Sequence, residues 1–176
     1  MELINKNNSN ITYEELERLY EIHFNNLTVE ENRVVTSNDN YKEQWINEIK
    51  NNPQLLCSMF FDNNVLIGYI IIFLNSDENY IRDFEIVKDY QSNGHTFKEM
   101  VKMVLPYTNK DKLYTGRILP FNEHAKSVFI RIGALINDGK YVCPYNRLIK
   151  VIDMDKEELN KKLPPKHKKG YPKSKK

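Results

Sequence analysis

The spacing of apolar positions changes character twice along this 176-residue chain. Up to residue 50 it is helical. Thr12-Tyr-Glu-Glu15 has the form of a capping box and predicts a helix with Leu16, Leu19, Tyr20 and His23 on or near its inner stripe, ending around Asn25–Thr28. Tyr41, Trp45, Ile46 and Ile49 predict a second helix from Asp39 to about Lys50, which must stop before Pro53. The polar link Val29–Asn38 has no period, and Glu2–Ile4 is a short first strand.

From Leu55 the period shortens to that of strands. Leu55–Phe61, a turn at Asp62-Asn63-Asn64 and Val65–Leu74 predict a hairpin whose second arm is apolar on both faces, so it belongs in the middle of a sheet. Tyr80–Val87 is a further strand. Helical and strand patterns then alternate: helix Phe97–Leu105, strand Leu113–Leu119, helix Asn122–Ile132, and closing strands Ala134–Cys143 and Asn146–Ile152. The order predicts an α+β fold with a central mixed, mostly antiparallel sheet flanked by helices. Residues 1–152 form one domain, and 153–176 follow as a basic, disordered tail.

Charge supports that division. Leu159–Lys176 carries eight lysines and no acids, so of 26 basic and 24 acidic residues the preceding part keeps 18 and 24, a net of −6. Three prolines and almost no apolar content keep the tail from folding alone. It is a solubilising segment, or it makes weak contact with a polyanion such as nucleic acid. Cys57 and Cys143 lack metal-ligand spacing and are expected as reduced core thiols, with no metal bound. No apolar run has membrane-spanning length and no leader opens the chain, which predicts a cytoplasmic protein without membrane contact.

The segment Asp89-Tyr-Gln-Ser-Asn-Gly-His-Thr96 is a small polar turn between a strand and a helix. Backbone N–H groups at such a helix start point together and favour an anion. Gly94 is the turn's one glycine, which excludes the dinucleotide fingerprint, and no Gly-Lys-Ser/Thr ending makes it a triphosphate loop. About thirty residues on, Asn122-x-x-Ala125-x-x-x-Phe129-x-x-x-Gly133 forms an amphipathic helix with a glycine stop.

Taken with the strand between them, these two segments resemble the GNAT (GCN5-related) N-acetyltransferase family. There, a Gln/Arg-x-x-Gly-x-Gly/Ala turn cradles the pyrophosphate of acetyl-CoA, and an Asn-x-x-Ala-x-x-x-Tyr-x-x-x-Gly helix flanks the pantetheine arm. The resemblance implies the GNAT fold over roughly residues 1–152, acetyl-CoA as co-substrate and an amine acceptor on a small molecule or protein, and it leaves room for a homodimer. It implies cofactor contacts at Gln91, Ser92, Asn93, Gly94, His95 and Thr96, at the strand positions Phe84 and Ile86, and at Asn122 and Phe129. Two positions depart from the pattern. Thr96 stands where the family has Gly or Ala, and Phe129 replaces the tyrosine that protonates the departing thiolate.

Alternation along Tyr80–Val87 puts Ile81, Asp83 and Glu85 on the face opposite Phe84 and Ile86. The resemblance makes Asp83, or Glu85 beside it, the acceptor of the amine proton; the alternative is a salt-bridge carboxylate paired with Arg82 or Arg117. Tyr141 and Tyr145 are the candidates to replace the missing acid, with packing as their other reading. His23, Asn25, Tyr41 and Trp45 are expected near the amine acceptor. A lysine amine of pKa about 10.4 is neutral in roughly four molecules in ten thousand at pH 7, whereas an α-amine near 7.8 asks about 1 kcal/mol. A weak acid–base apparatus therefore suits the α-amine or another weakly basic amine. Two further readings stand beside transfer: a degenerate CoA-binding sensor or interaction module, and a nucleic-acid-associated protein tethered by its tail.

Overall fold

A computed structural model describes residues 1–31, 39–119 and 122–154. Most of the polar link, Pro120 and the tail from residue 155 lie outside the described residues. The elements are β1 (Glu2–Lys6), α1 (Tyr13–Glu31), α2 (Asp39–Lys50), β2 (Leu55–Asp62), β3 (Val65–Leu74), β4 (Glu78–Ile86), α3 (His95–Val104), β5 (Leu113–Arg117), α4 (Glu123–Arg131), β6 (Leu135–Asn137), β7 (Lys140–Cys143), α5 (Tyr145–Leu148) and α6 (Lys150–Asp153).

One sheet of order β1-β2-β3-β4-β5-β7-β6 runs through the molecule. Its neighbours are antiparallel except β4 and β5, which are parallel. Local chemistry set the helix starts. At α1 the Thr12 N–H donates to Glu15 Oε2 at 2.8 Å and the Glu15 N–H to Thr12 Oγ1 at 3.1 Å, a complete capping box. At α4 the Ala125 N–H donates to Asn122 Oδ1 at 2.9 Å.

β3 is central, as its double-sided apolar pattern predicts, with Ile67 and Tyr69–Phe73 all buried. One face of the sheet packs Leu55, Cys57, Met59, Tyr69 and Ile71 against Leu16, Leu19, Trp45, Ile46 and Ile49 of α1 and α2. The other packs Phe60, Ile70 and Ile72 under Met100 and Val104 of α3. Both cysteines are buried free thiols, and burial pushes Cys143 up to about 11, which keeps it protonated and unreactive. Among the described residues no helix is long and apolar enough to cross a membrane.

Three expectations are corrected. The predicted strand Ala134–Cys143 is a hairpin: Asp138 and Gly139 have φ of 47° and 73° and join β6 to β7. That pair of positive angles is the two-residue turn favoured by Asp-Gly. The predicted strand Asn146–Ile152 is helical, as α5 and α6. Pro144 has no N–H for a ladder and sits as the N-cap of α5, and Leu148 and Val151 then bury at helical spacing in the cluster that holds Val101 of α3 and Leu105 just after it. Finally, β4 is bulged. Ile71 pairs with Asp83 but Ile72 with Ile81, which leaves Arg82 as the extra residue. Ile81 therefore lies with Phe84 and Ile86 on the α3 side rather than with Asp83 and Glu85.

Candidate active site

The parallel ladder between β4 and β5 is short. It runs from Glu78↔Leu113 to Ile81↔Gly116 and ends there, while β4 continues to Ile86. Beyond Arg117 the chain follows the other neighbour, for the Ile118 N–H donates to the Gly139 carbonyl at 2.7 Å. The two strands thus part like a fork, and among the described residues no strand pairs with Arg82–Ile86 on that side. Gly116 marks the apex. A Cβ there would lie 2.7 Å from both the Ile81 carbonyl oxygen and the Tyr141 hydroxyl, so no side chain fits. Tyr141, opposite Gly116 on β7, carries its ring 4.0 Å from that of Phe129 on α4. It is buried, and burial raises its phenol well above the ordinary tyrosine value.

At the open end β4 passes through a 3-10 turn, Lys88–Asn93, into α3. Gly94 is the N-cap of α3 at φ 64°, a left-handed conformation that glycine adopts without strain. The Gln91 amide turns back from this helix start. Its Nε2 donates to the Ile86 carbonyl at 2.7 Å, which Asn26 Nδ2 also reaches at 3.1 Å. Ser92 and Asn93 lie in the 3-10 turn, His95 is exposed at the first position of α3, and Thr96 after it is buried. Phe84 stacks on Phe97 at 4.9 Å, which ties the fork's β4 arm to the first turn of α3.

The opposite face of β4 carries a polar cluster under α1 and α2. Asp83 is 8% exposed; Oδ1 accepts from Arg82 Nη1 at 2.8 Å and Oδ2 from Trp45 Nε1 at 3.1 Å. Arg82 also clasps Glu48 through Nε and Nη2, both at 3.1 Å. Burial pushes the Asp83 carboxyl above the usual carboxylate value, and the Arg82 and His23 charges oppose that rise. Glu85 Oε1 lies 3.2 Å from His23 Nδ1, and Oε2 accepts from Asn26 Nδ2 at 2.6 Å. His23 Nε2 lies 3.1 Å from the Tyr41 hydroxyl.

His23, Asp83 and Glu85 offer three metal-ligand atoms within 4.8 Å of one another. Protein donors already meet both carboxylates, so a cation there would have to displace Arg82 or His23 from them.

The tertiary structure therefore brings Asp83, Glu85, Phe84, Ile86, Tyr141 and Phe129 around one fork, with Gly94 at its open end. Tyr145 is not brought there. The register Tyr114↔Cys143 and Gly116↔Tyr141 runs β7 away from the apex, so Tyr145 sits at the closed end, beside the Tyr114 ring and under Lys110. The Arg82 ion pair at Asp83 matches the salt-bridge alternative. Asn122 serves as the N-cap of α4. Two partners were not anticipated as such: Asn26, and His23 as the mate of Glu85. A polar histidine on the inner stripe of an otherwise apolar helix was the available signal.

No protein-family model matches the chain, and no curated protein matches it in sequence. Its fold does match solved structures. PaiA N-acetyltransferase from Thermoplasma acidophilum, crystallised with coenzyme A, is 16% identical over 81% of this chain and 97% of its own, with a TM-score of 0.53. An acyl-CoA N-acyltransferase from Pseudomonas aeruginosa is 13% identical over 81% and 97%, with a TM-score of 0.56. Diaminobutyrate acetyltransferase EctA from Paenibacillus lautus, in complex with L-2,4-diaminobutyric acid and coenzyme A, is 10% identical over 81% and 95%, at 0.54. At such identities the likeness is one of fold, and the fold is that of the GNAT acyltransferases.

Proposed function

We propose that this chain, built on the GNAT acyltransferase fold, transfers the acetyl group of acetyl-CoA to a primary amine of a small molecule or protein. The observation that carries this reading is the fork: a stretch of β4 whose second edge pairs with no strand among the described residues lies between the start of α3 and a carboxylate cluster. The open edge Arg82–Ile86 suits the amides of an extended pantetheine arm, with Phe84 and Ile86 on its α3 side. The start of α3 at Gly94 suits the pyrophosphate, since a helix N-terminus favours negative charge and a glycine there leaves room for close approach. Gln91, Ser92, Asn93, His95 and Thr96 surround it, with Gln91 bracing the strand end rather than facing a phosphate. Asn122 and Phe129 place α4 along the other arm of the fork.

The acceptor then meets the thioester from the α1–α2 side. In the transfer a C–N bond forms and the C–S bond breaks; a protonated primary amine loses two protons, one passing to solvent and one ending on the thiolate, and the amide, which keeps one N–H, leaves with the CoA thiol. Asp83 and Glu85 lie on the side where a proton must be taken up. The Tyr141 hydroxyl at the apex is the group placed to return one, and its raised value keeps it a protonated donor at neutral pH.

Phe129 favours a second reading, a CoA-binding module without turnover. Acetyl-CoA titration followed by thiol release over a panel of amines is the test. Release that depends on one amine class is expected, faster with α-amines than with lysine side chains. Binding without release by any amine would select the second reading, and no binding would remove both.

A further inference from the structure

The His23 ring is the least expected member of the polar cluster, and its two nitrogens face different chemistry. Nδ1 faces a carboxylate oxygen of Glu85 at 3.2 Å and, further off, Asp83 Oδ1 at 4.0 Å. An ionised carboxylate only accepts hydrogen bonds, so Nδ1 must carry the proton. In the neutral ring that leaves the lone pair on Nε2, where the Tyr41 hydroxyl donates across 3.1 Å. The ring is buried at 6% exposure and stacked on Trp45 at 5.5 Å and 25°. Trp45 is itself tethered to Asp83 Oδ2, and Glu85 by Asn26 through Oε2. The imidazole plane and its tautomer are thus fixed from both sides.

Asp83 is worse placed to meet an amine. Both of its oxygens are engaged, one by a guanidinium and one by the Trp45 indole, and an amine would have to displace one of them. Tyr41, in contrast, is 36% exposed, which makes the partner on Nε2 the most open member of the chain Glu85–His23–Tyr41, ahead of the Glu85 side chain at 19%.

We propose that His23, and neither carboxylate, receives the acceptor's proton, at Nε2, with Glu85 holding the tautomer and Tyr41 occupying Nε2 until an amine displaces its hydroxyl. This rests on the transferase reading and assigns its acid–base step. In that step the amine loses one proton to Nε2, the ring becomes an imidazolium facing Glu85 and Asp83, and the proton then passes to solvent as the ring resets. The groups that set this charge are Glu85 and Asp83 of β4, Arg82 through its pair with Asp83, and the Tyr41 phenol of α2; Tyr20 of α1 and Trp45 add uncharged rings. Glu85 is here a positioning residue.

Imidazole nitrogen NMR on the whole protein, with and without acetyl-CoA, reads the tautomer without relying on turnover. In the neutral ring the proton is expected on Nδ1. A neutral ring carrying its proton on Nε2 overturns the proposal. In the thiol-release assay, His23→Gln should lower kcat about 10²-fold to 10⁴-fold and erase the acid limb of the pH profile while leaving acetyl-CoA affinity unchanged. Glu85→Gln should lower kcat with the KM for the amine held within about twofold of the native value, a split that loss of packing alone would not give. Tyr41→Phe lies at the exposed end of the relay and should lower the KM for the amine, since no hydroxyl then competes for Nε2. An unchanged pH profile in His23→Gln, or a raised KM for the amine in Tyr41→Phe, overturns the assignment. Native protein that binds acetyl-CoA but releases no thiol with any amine overturns the transferase reading instead, whatever tautomer is found.

Discussion

The Tyr141 hydroxyl lies 2.7 Å from the point that a Cβ on Gly116 would occupy, and the Ile81 carbonyl oxygen lies at the same distance from that point. The apex of the fork is closed on three sides by a phenol, a strand carbonyl and a residue with no side chain. Gly116→Ala should force these apart. A loss of about 1–3 kcal/mol in urea denaturation is expected, together with weaker acetyl-CoA binding. Full stability with native affinity would mean that the apex does not shape the site.

Tyr141→Phe keeps the ring and its stack on Phe129, and removes only the hydroxyl. If that hydroxyl returns the proton to the thiolate, kcat should fall about tenfold to a hundredfold at unchanged acetyl-CoA affinity. Adding Phe129→Tyr in the same chain should restore part of the loss, because the two rings stack 4.0 Å apart. Equal rates in all three proteins would leave protonation to solvent.

Gly94 holds a φ of 64° where β4 hands over to α3. Gly94→Val places a branched Cβ in that left-handed conformation, at a cost of about 1–2 kcal/mol, and obstructs close approach to the helix start. Isothermal titration should show weaker binding of acetyl-CoA and of CoA alike. Their affinities should change together, because on the proposed binding mode the acetyl group would lie at the other end of the fork.

Trp45→Phe retains most of the buried ring but deletes the Nε1 donor to Asp83 Oδ2. A buried acceptor left with one partner fewer costs about 1–3 kcal/mol, to be read as a lower urea midpoint at unchanged slope.

The same carboxylate predicts a sign for pH dependence. Burial raises Asp83 from its reference of 3.8, so in the window above 3.8 the folded chain holds more proton there than the unfolded chain. Stability from this group is then complete below the reference value and falls as pH rises through the raised folded value. Native protein compared with Asp83→Asn should therefore show its largest relative advantage at the acid end, shrinking toward neutrality. A gap that widened with pH would mean that Arg82 outweighs burial.

Much of the scaffold was legible because its causes are local. The Thr12–Glu15 box, the Trp45–Ile49 stripe and the doubly apolar β3 each reflect a short-range rule, and the Gln91–Thr96 turn announced a strand-to-helix junction. The Asp138-Gly139 hairpin was equally local and was the missed signal, obscured by a continuous run of strand-forming residues around it. The helices after Pro144 were not readable as such, because Leu148 and Val151 alternate too weakly to choose a period until α3 supplies the surface they cover.

What the sequence by itself determined was the order of elements through α4, the central place of β3 and the two motif segments that bracket the fork, since periodicity, caps and turn residues act within a few positions. What only the tertiary structure decided was the chemistry at their meeting point. The bulge at Arg82 depends on register with β3 and changes the face of Ile81. The Glu85–His23 pair spans 62 residues of sequence, and Tyr141 reaches the apex only because β7 pairs with β5. Such contacts are set by how strands align and helices dock, and no local pattern encodes them.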